Sequence, residues 1–148
     1  MLVSQKCQYA LRAVFELSRR YKQGPVKIAE IARIQSIPER FLEAILAQLK
    51  QGGFADSKRG SEGGYFLIKE PADITVGDII RFIQGPIGPV ECVAGDDPNC
   101  PLYGDCVFLP MWQEAQEALA GVYDGTTFAT LLARDKESAN SYANCYYI

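Results

Sequence analysis

The chain is 148 residues long, 48% hydrophobic, with a formal net charge of −3 and a mean hydropathy of −0.05. This suits one ordinary domain, or a small domain with an added module, and no apolar run approaches the roughly 18–20 residues that span a bilayer. Histidine is absent, which excludes His-containing zinc sites and Ser–His or Cys–His catalysis; with no phosphate loop either, an enzyme is not expected.

The small net charge conceals an asymmetry. Residues 1–70 carry 12 Lys or Arg against 7 Asp or Glu, a balance of +5, whereas residues 71–148 carry 3 against 11, a balance of −8. A basic module followed by an acidic one directs any nucleic-acid contact to the first half. Residues 1–21 are interrupted by Lys6, Gln8, Arg12, Glu16, Arg19 and Arg20, so they do not read as a signal peptide. A cytoplasmic location is therefore expected, where clustered thiols bind metal more often than they pair.

In chain order, Ser4 can cap a helix whose apolar face is Tyr9, Ala10, Ala13, Val14 and Leu17, ending near Tyr21 before Gly24-Pro25. A second short helix spans about residues 26–34, with Ile28, Ile31 and Ala32 inward. Gln35-Ser36-Ile37 makes a tight turn, and Pro38 suits the first position of a third helix. That helix repeats Phe41, Leu42, Ile45, Leu46 and Leu49 and stops at Gly52-Gly53. Two short helices joined in this way match a helix-turn-helix, although a plain three-helix bundle shares the periodicity.

The next segment decides between them. Phe54-Ala55-Asp56-Ser57 and Tyr65-Phe66-Leu67-Ile68 are strand-like and flank Lys58-Arg59-Gly60-Ser61-Glu62-Gly63-Gly64. A glycine-rich basic hairpin after a helix-turn-helix is a wing. Its Lys58 and Arg59, with Ser61 at the tip, are candidate phosphate or minor-groove contacts. On the third helix Glu39, Arg40, Glu43, Ala44, Ala47 and Lys50 should face outward. Arg40 is the first candidate for guanine or phosphate, Glu43 can accept from cytosine N4, and Gln35 and Ser36 would position the backbone.

The second half begins with an amphipathic helix over residues 74–84, with Val76, Ile79, Ile80 and Ile83 inward, ended by Gly85-Pro86. Cys92, Cys100 and Cys106 follow on a segment rich in turn formers. Soft thiolates gathered on a loop suit an iron–sulfur cluster or a zinc ion. Phe108, Met111, Trp112, Ala115, Leu119 and Val122 then recur at helical spacing. Such a helix has little domain beneath it, so pairing with a second copy in a homodimer is the expected way to cover it. Residues 126–132 are expected to add one or two helical turns, and residues beyond Arg134 to form a polar, flexible tail. The expected divisions are 1–72 (DNA-binding), 73–134 (thiol loop and dimer helices) and 135–148 (tail).

The runs Pro38-Glu39-Arg40-Phe41-Leu42-Glu43, Lys58-Arg59-Gly60-Ser61-Glu62-Gly63-Gly64-Tyr65 and Ile74-Thr75-Val76-Gly77-Asp78-Ile79-Ile80 resemble the Rrf-two family of bacterial winged helix-turn-helix transcriptional regulators, in particular its IscR/NsrR-like iron–sulfur sensors. The resemblance covers roughly residues 1–122. It implies a mainly α fold with a small β-wing and a long C-terminal dimerisation helix. It also implies a homodimer on a palindromic operator of double-stranded DNA and no membrane partner. Cys92, Cys100 and Cys106 would hold a [2Fe–2S] or [4Fe–4S] cluster sensing redox state or nitric oxide, Glu43 would read a base, and Arg59 would contact DNA from the wing.

The chain departs from that pattern in spacing, with seven residues between Cys92 and Cys100 and five between Cys100 and Cys106. It departs also at the fourth ligand, which in family members is a histidine or a carboxylate on the partner's first helix. The matching position here is Gln8, and its neighbour Cys7, reaching across from the second subunit, is the expected substitute; Cys145 is a weaker candidate. The competing expectation is a winged-helix repressor with zinc or no metal, controlled by thiol redox state or by a protein partner.

Overall fold

The structure, a computed structural model, describes the backbone of residues 1–95 and 99–146, with side chains described as far as residue 141. Helix α1 (Gln5–Arg19) starts where expected: the Ser4 hydroxyl accepts from the Cys7 N–H at 3.2 Å. The Ser4 N–H donates to Gln84 Oε1 and Gln84 Nε2 donates to the Leu2 carbonyl, both at 2.8 Å. Helix α2 (Ile28–Gln35) ends at Ser36, whose φ of 52° places it in the left-handed region and turns the chain sharply. Helix α3 (Glu39–Gln51) begins one residue later than expected, because Pro38 with ψ of 127° is the cap and not the first helical residue.

Strands β1 (Ala55–Lys58) and β2 (Gly64–Leu67) pair antiparallel, from Ala55 opposite Leu67 to Lys58 opposite Gly64. Tyr65 and Val26 exchange both backbone hydrogen bonds at 2.8 Å, so the wing is stitched to the segment before α2. A Cβ on Gly64, which has φ of 156°, would collide with the Val26 carbonyl, so that close approach requires glycine.

A single 3-10 turn (Pro71–Asp73) leads to helix α4 (Val76–Gln84). This helix starts two residues after the expected Ile74, because Thr75 and Asp78 form a reciprocal capping box. Helix α5 (Glu91–Ala94) carries Cys92, which was expected on a loop. Helix α6 (Leu109–Asp124) follows the cysteines, and helix α7 (Phe128–Tyr146) closes the chain.

The α1 helix lies at the centre, packed against α2, α3, α4, β2 and α7. The main core joins Ala10, Val14 and Leu17 of α1 to Ile31, Leu42, Ile45, Leu46 and Leu49, to Phe54 and Leu67 of the wing, and to Ile74, Ile79 and Phe128. Two expectations are corrected. Phe41 is 46% exposed and not part of the core, because α3 turns it toward α1's outer edge. Residues 126–132 are not an isolated turn or two. The Val76 N–H donates to the Thr126 carbonyl at 2.9 Å and the Phe128 N–H to that of Ile74 at 3.0 Å, returning the chain to the core. From there residues 135–146 continue as part of α7. Among the described residues no helix is long and apolar enough to cross a membrane.

Candidate nucleic-acid interface and thiol segment

The six α3 positions expected outward, Glu39, Arg40, Glu43, Ala44, Ala47 and Lys50, are all exposed. Arg40 does not extend freely: its guanidinium lies over the Phe41 ring at 4.7 Å. Phe41 stacks on Tyr9 at 6.4 Å between centroids, and Arg12 covers the Tyr9 ring at 5.3 Å. The exposed aromatic is thus a platform that restrains Arg40 and limits the rotamer entropy lost when it binds.

Behind the turn lies a group that periodicity did not identify. Glu16 is 1% exposed, and its carboxylate accepts from Arg19 at 3.1 Å and from Gln35 Nε2 at 3.0 Å, with Arg20 at 3.4 Å. Arg12 donates to the Gln35 carbonyl at 3.0 Å. A buried carboxylate satisfied in this way clamps the residue before Ser36, and so fixes the angle between α2 and α3. The 16/19/20 spacing was the available signal, since residues three and four apart meet on one helix face.

The wing tip is exposed at Lys58, Arg59, Gly60, Ser61 and Glu62, whereas Gly63 is buried where a Cβ would collide with the Lys58 carbonyl. Lys50 ties the end of α3 to the wing, donating to Ser57 Oγ at 2.8 Å and lying 3.4 Å from Asp56. The Ser57 N–H, and then Lys50, hold the Asp56 carboxyl below the usual range. Sequence reading treats Lys50 as an ordinary outward charge. The structure makes it a brace between helix and hairpin. Ser36, Arg40, Glu43, Lys58, Arg59 and Ser61 are therefore exposed parts of one helix-turn-helix and wing.

The thiols are arranged differently. Cys92, Cys100 and Cys106 are all half-buried and none is in a disulfide; between α4 and α6 in the chain, the Tyr103 N–H donates to the Cys100 carbonyl at 3.0 Å. Among the described residues, no three Cys, Asp or Glu side chains come together as a metal site. The donor chemistry, thiols without imidazole, still fits an iron–sulfur cluster or zinc. Cys7 lies in the interior of its own chain. It is 0% exposed, packed with Ile80 and Ile87 beneath Leu119 and Tyr123, and burial raises its thiol pKa. It therefore behaves as a small core hydrophobe, and reaching a partner's thiols would require opening that cluster. The Cys145 side chain lies outside the described residues.

Helix α6 has no buried residue; Phe108, Met111 and Val122 are 56%, 49% and 66% exposed. Its far end is fixed to the head by Arg81, which donates to both oxygens of Asp124 at 2.7 Å.

A family description, "Iron-dependent Transcriptional regulator" (Rrf2), matches residues 3–134. The chain belongs to the Rrf2 family. The HTH-type transcriptional regulator CymR of Bacillus subtilis (strain 168) is 33% identical over 142 residues, covering 96% of this chain and 97% of that protein. The solved structure of CymR, described as the global cysteine regulator of B. subtilis, superposes with a TM-score of 0.77 over 90% of this chain and 98% of that one. The structure of T. potens IscR does so at 0.75, with 33% identity, over 93% and 90%. The winged helix-turn-helix expected from sequence is thus the fold of this Rrf2-family regulator, a member of a DNA-binding family of transcriptional regulators.

Proposed function

We propose that this Rrf2-family regulator acts as a homodimeric repressor on a palindromic operator, with its affinity governed by an iron–sulfur cluster held by Cys92, Cys100 and Cys106. The observation that carries this reading is the confinement of three half-buried thiols to the short stretch leading into α6, a helix with no buried residue that leaves Met111 and Val122 exposed. A second copy of α6 would cover them. Ser36 and the backbone of the turn would then position the protein on phosphates. Arg40 and Glu43 would reach base edges, and Lys58, Arg59 and Ser61 would meet the backbone from the wing. Such a cluster supplies sensitivity to iron supply, oxygen and nitric oxide.

Two reading heads must sit about 34 Å apart to engage both half-sites. The Cys92-bearing α5 packs on α6, and α6 packs on α4 of the head, so the conformation of that turn would bear on the spacing. A coupling of ~1–3 kcal/mol corresponds to a roughly 5- to 150-fold change in affinity. The test is an absorption spectrum with iron and sulfide counts on protein isolated under nitrogen, followed by operator titrations of loaded and metal-free protein at matched salt. Iron with labile sulfide and unequal affinities support the proposal; equal affinities defeat the switch.

A second reading is control by zinc, thiol oxidation or a protein partner. It is favoured by the separation of the three thiols among the described residues and by the likeness to a cysteine regulator. Colourless protein containing zinc, or containing no metal and reversibly losing DNA affinity on oxidation, would decide for it.

A further inference from the structure

We propose that Gln116, midway along α6, is the residue that positions Cys92, tethering the thiol-bearing turn to α6 and to the head so that the three move together. Helix α5 is only four residues long, far below the length at which an isolated helix is stable. Its cap residue Val90 contributes no side-chain bond. Its backbone bonds are few: the Ala94 N–H to the Val90 carbonyl at 3.1 Å, the Gly95 N–H to that of Glu91 at 2.8 Å, and a longer one from Val93.

Something outside the turn must hold it, and Gln116 is placed to do so. Its Nε2 donates to the Ile87 carbonyl at 3.1 Å and to the Val93 carbonyl. One acceptor precedes α5 and the other lies within it, so a single amide closes the segment onto α6. Both of its N–H groups are used, which glutamate or leucine could not reproduce. Gly88 fits against Ala94, where an added Cβ would come within 2.7 Å of the Ala94 Cβ. Ile87 is 3% exposed in the cluster with Cys7 and Ile80. The amide therefore joins α6, the Cys92 turn and the head's own packing at one point. A cavity of about 410 Å³ beside Cys92 is lined by Val93, Ala94, Gly95, Gln113 and Gln116, leaving the turn room to move if the tether is cut.

That the tether transmits a regulatory signal rests on the cluster reading; that it positions Cys92 does not. Full-length metal-free Gln116→Leu, kept under nitrogen, is to be alkylated with iodoacetamide and each cysteine peptide followed by mass spectrometry. Cys92 should react at least about 5-fold faster than in the unaltered protein, the order expected when a hydrogen bond holding it closed is lost, with Cys100 and Cys106 unchanged. Equal acceleration at all three, or none, overturns the proposal.

Should the variant not fold, hydrogen exchange on the unaltered chain decides. The Ala94 and Gly95 amides should exchange at least about 10-fold more slowly than the turn-bonded Tyr103 and Asp105 amides, which have no such tether; equal rates overturn it. In iron-loaded protein the variant should bring the ratio of loaded to metal-free operator affinity toward one while keeping the metal-free value. An unchanged ratio would remove the signalling role. Absence of iron would defeat the cluster reading and leave the alkylation result standing.

Discussion

The winged head and helix α6 put apolar residues to opposite uses. In the head, Leu17, Leu42, Leu46 and Leu49 are buried at 0–1% exposure around a central α1, and even the outer loops are braced by Glu16–Gln35 and Lys50–Ser57. In α6, a helix of similar length, no residue is buried, and its contacts with the head are made by half-buried side chains such as Leu119 and Tyr123. The difference separates a surface buried within the chain from one that leaves large apolar side chains exposed. Stability should therefore reside in the head, and α6 should matter for assembly and response.

The largest effect should come from breaking the head. Leu46→Ala empties a fully buried site where α3 meets α1, and should cost ~2–5 kcal/mol in urea unfolding. Met111→Ala on α6, with the native side chain 49% exposed, should leave the unfolding of a dilute monomer within about 0.5 kcal/mol. It should instead shift the monomer–dimer equilibrium in sedimentation. A large stability loss from Met111→Ala would show that α6 packs within its own chain.

Next in size are the DNA contacts, which distinguish helix from wing. Arg40→Ala should cost ~1–3 kcal/mol on a specific operator and relax preference at one position. Arg59→Ala at the exposed wing tip should weaken all duplexes alike and reduce the slope of log affinity against log salt by about 0.9. Titrations against operator and scrambled duplex at several salt concentrations check both. Identical behaviour of the two variants would mean that Arg40 touches only phosphate.

Much of this comparison was legible in the residues. The apolar spacing of Leu42, Ile45, Leu46 and Leu49 located α3, and Gly60, Gly63 and Gly64 beside Lys58 and Arg59 located the wing, because periodicity and the need for glycine in a tight turn are local properties. Phe41 misled because hydrophobicity alone does not separate a core residue from a platform beneath Arg40. Helix α7 was underestimated because its start is fixed by Phe128 docking into a core built from residues far earlier in the chain, which no local pattern reports. The burial of Cys7 was hidden for a related reason: the neighbours that bury it, Ile80 and Leu119, lie on two distant helices. Glu16 and Gln116 share the difficulty, since a polar side chain's partners are set by tertiary approach.

The smallest predicted effect concerns the joint between the two regions. Arg81 holds the Asp124 carboxyl below its usual range, and Asp124 raises the Arg81 guanidinium further. A carboxyl depressed in the folded state stabilises the fold above its unfolded value of ~3.9, and that contribution disappears as pH falls through the lower folded value. Stability should therefore be flat from neutral pH down to about 5 and decline below ~4 on this account. Both side chains are more than 40% exposed, so solvent screening limits the contribution to under ~1 kcal/mol. Asp124→Asn should lower the urea midpoint slightly at pH 7, with the difference shrinking as pH falls below ~4 and shrinking in high salt. A difference that changes with neither pH nor salt would mean that the joint is held by packing around Phe128 and the Thr126–Val76 bond. The ion pair would then direct α6 without fastening it.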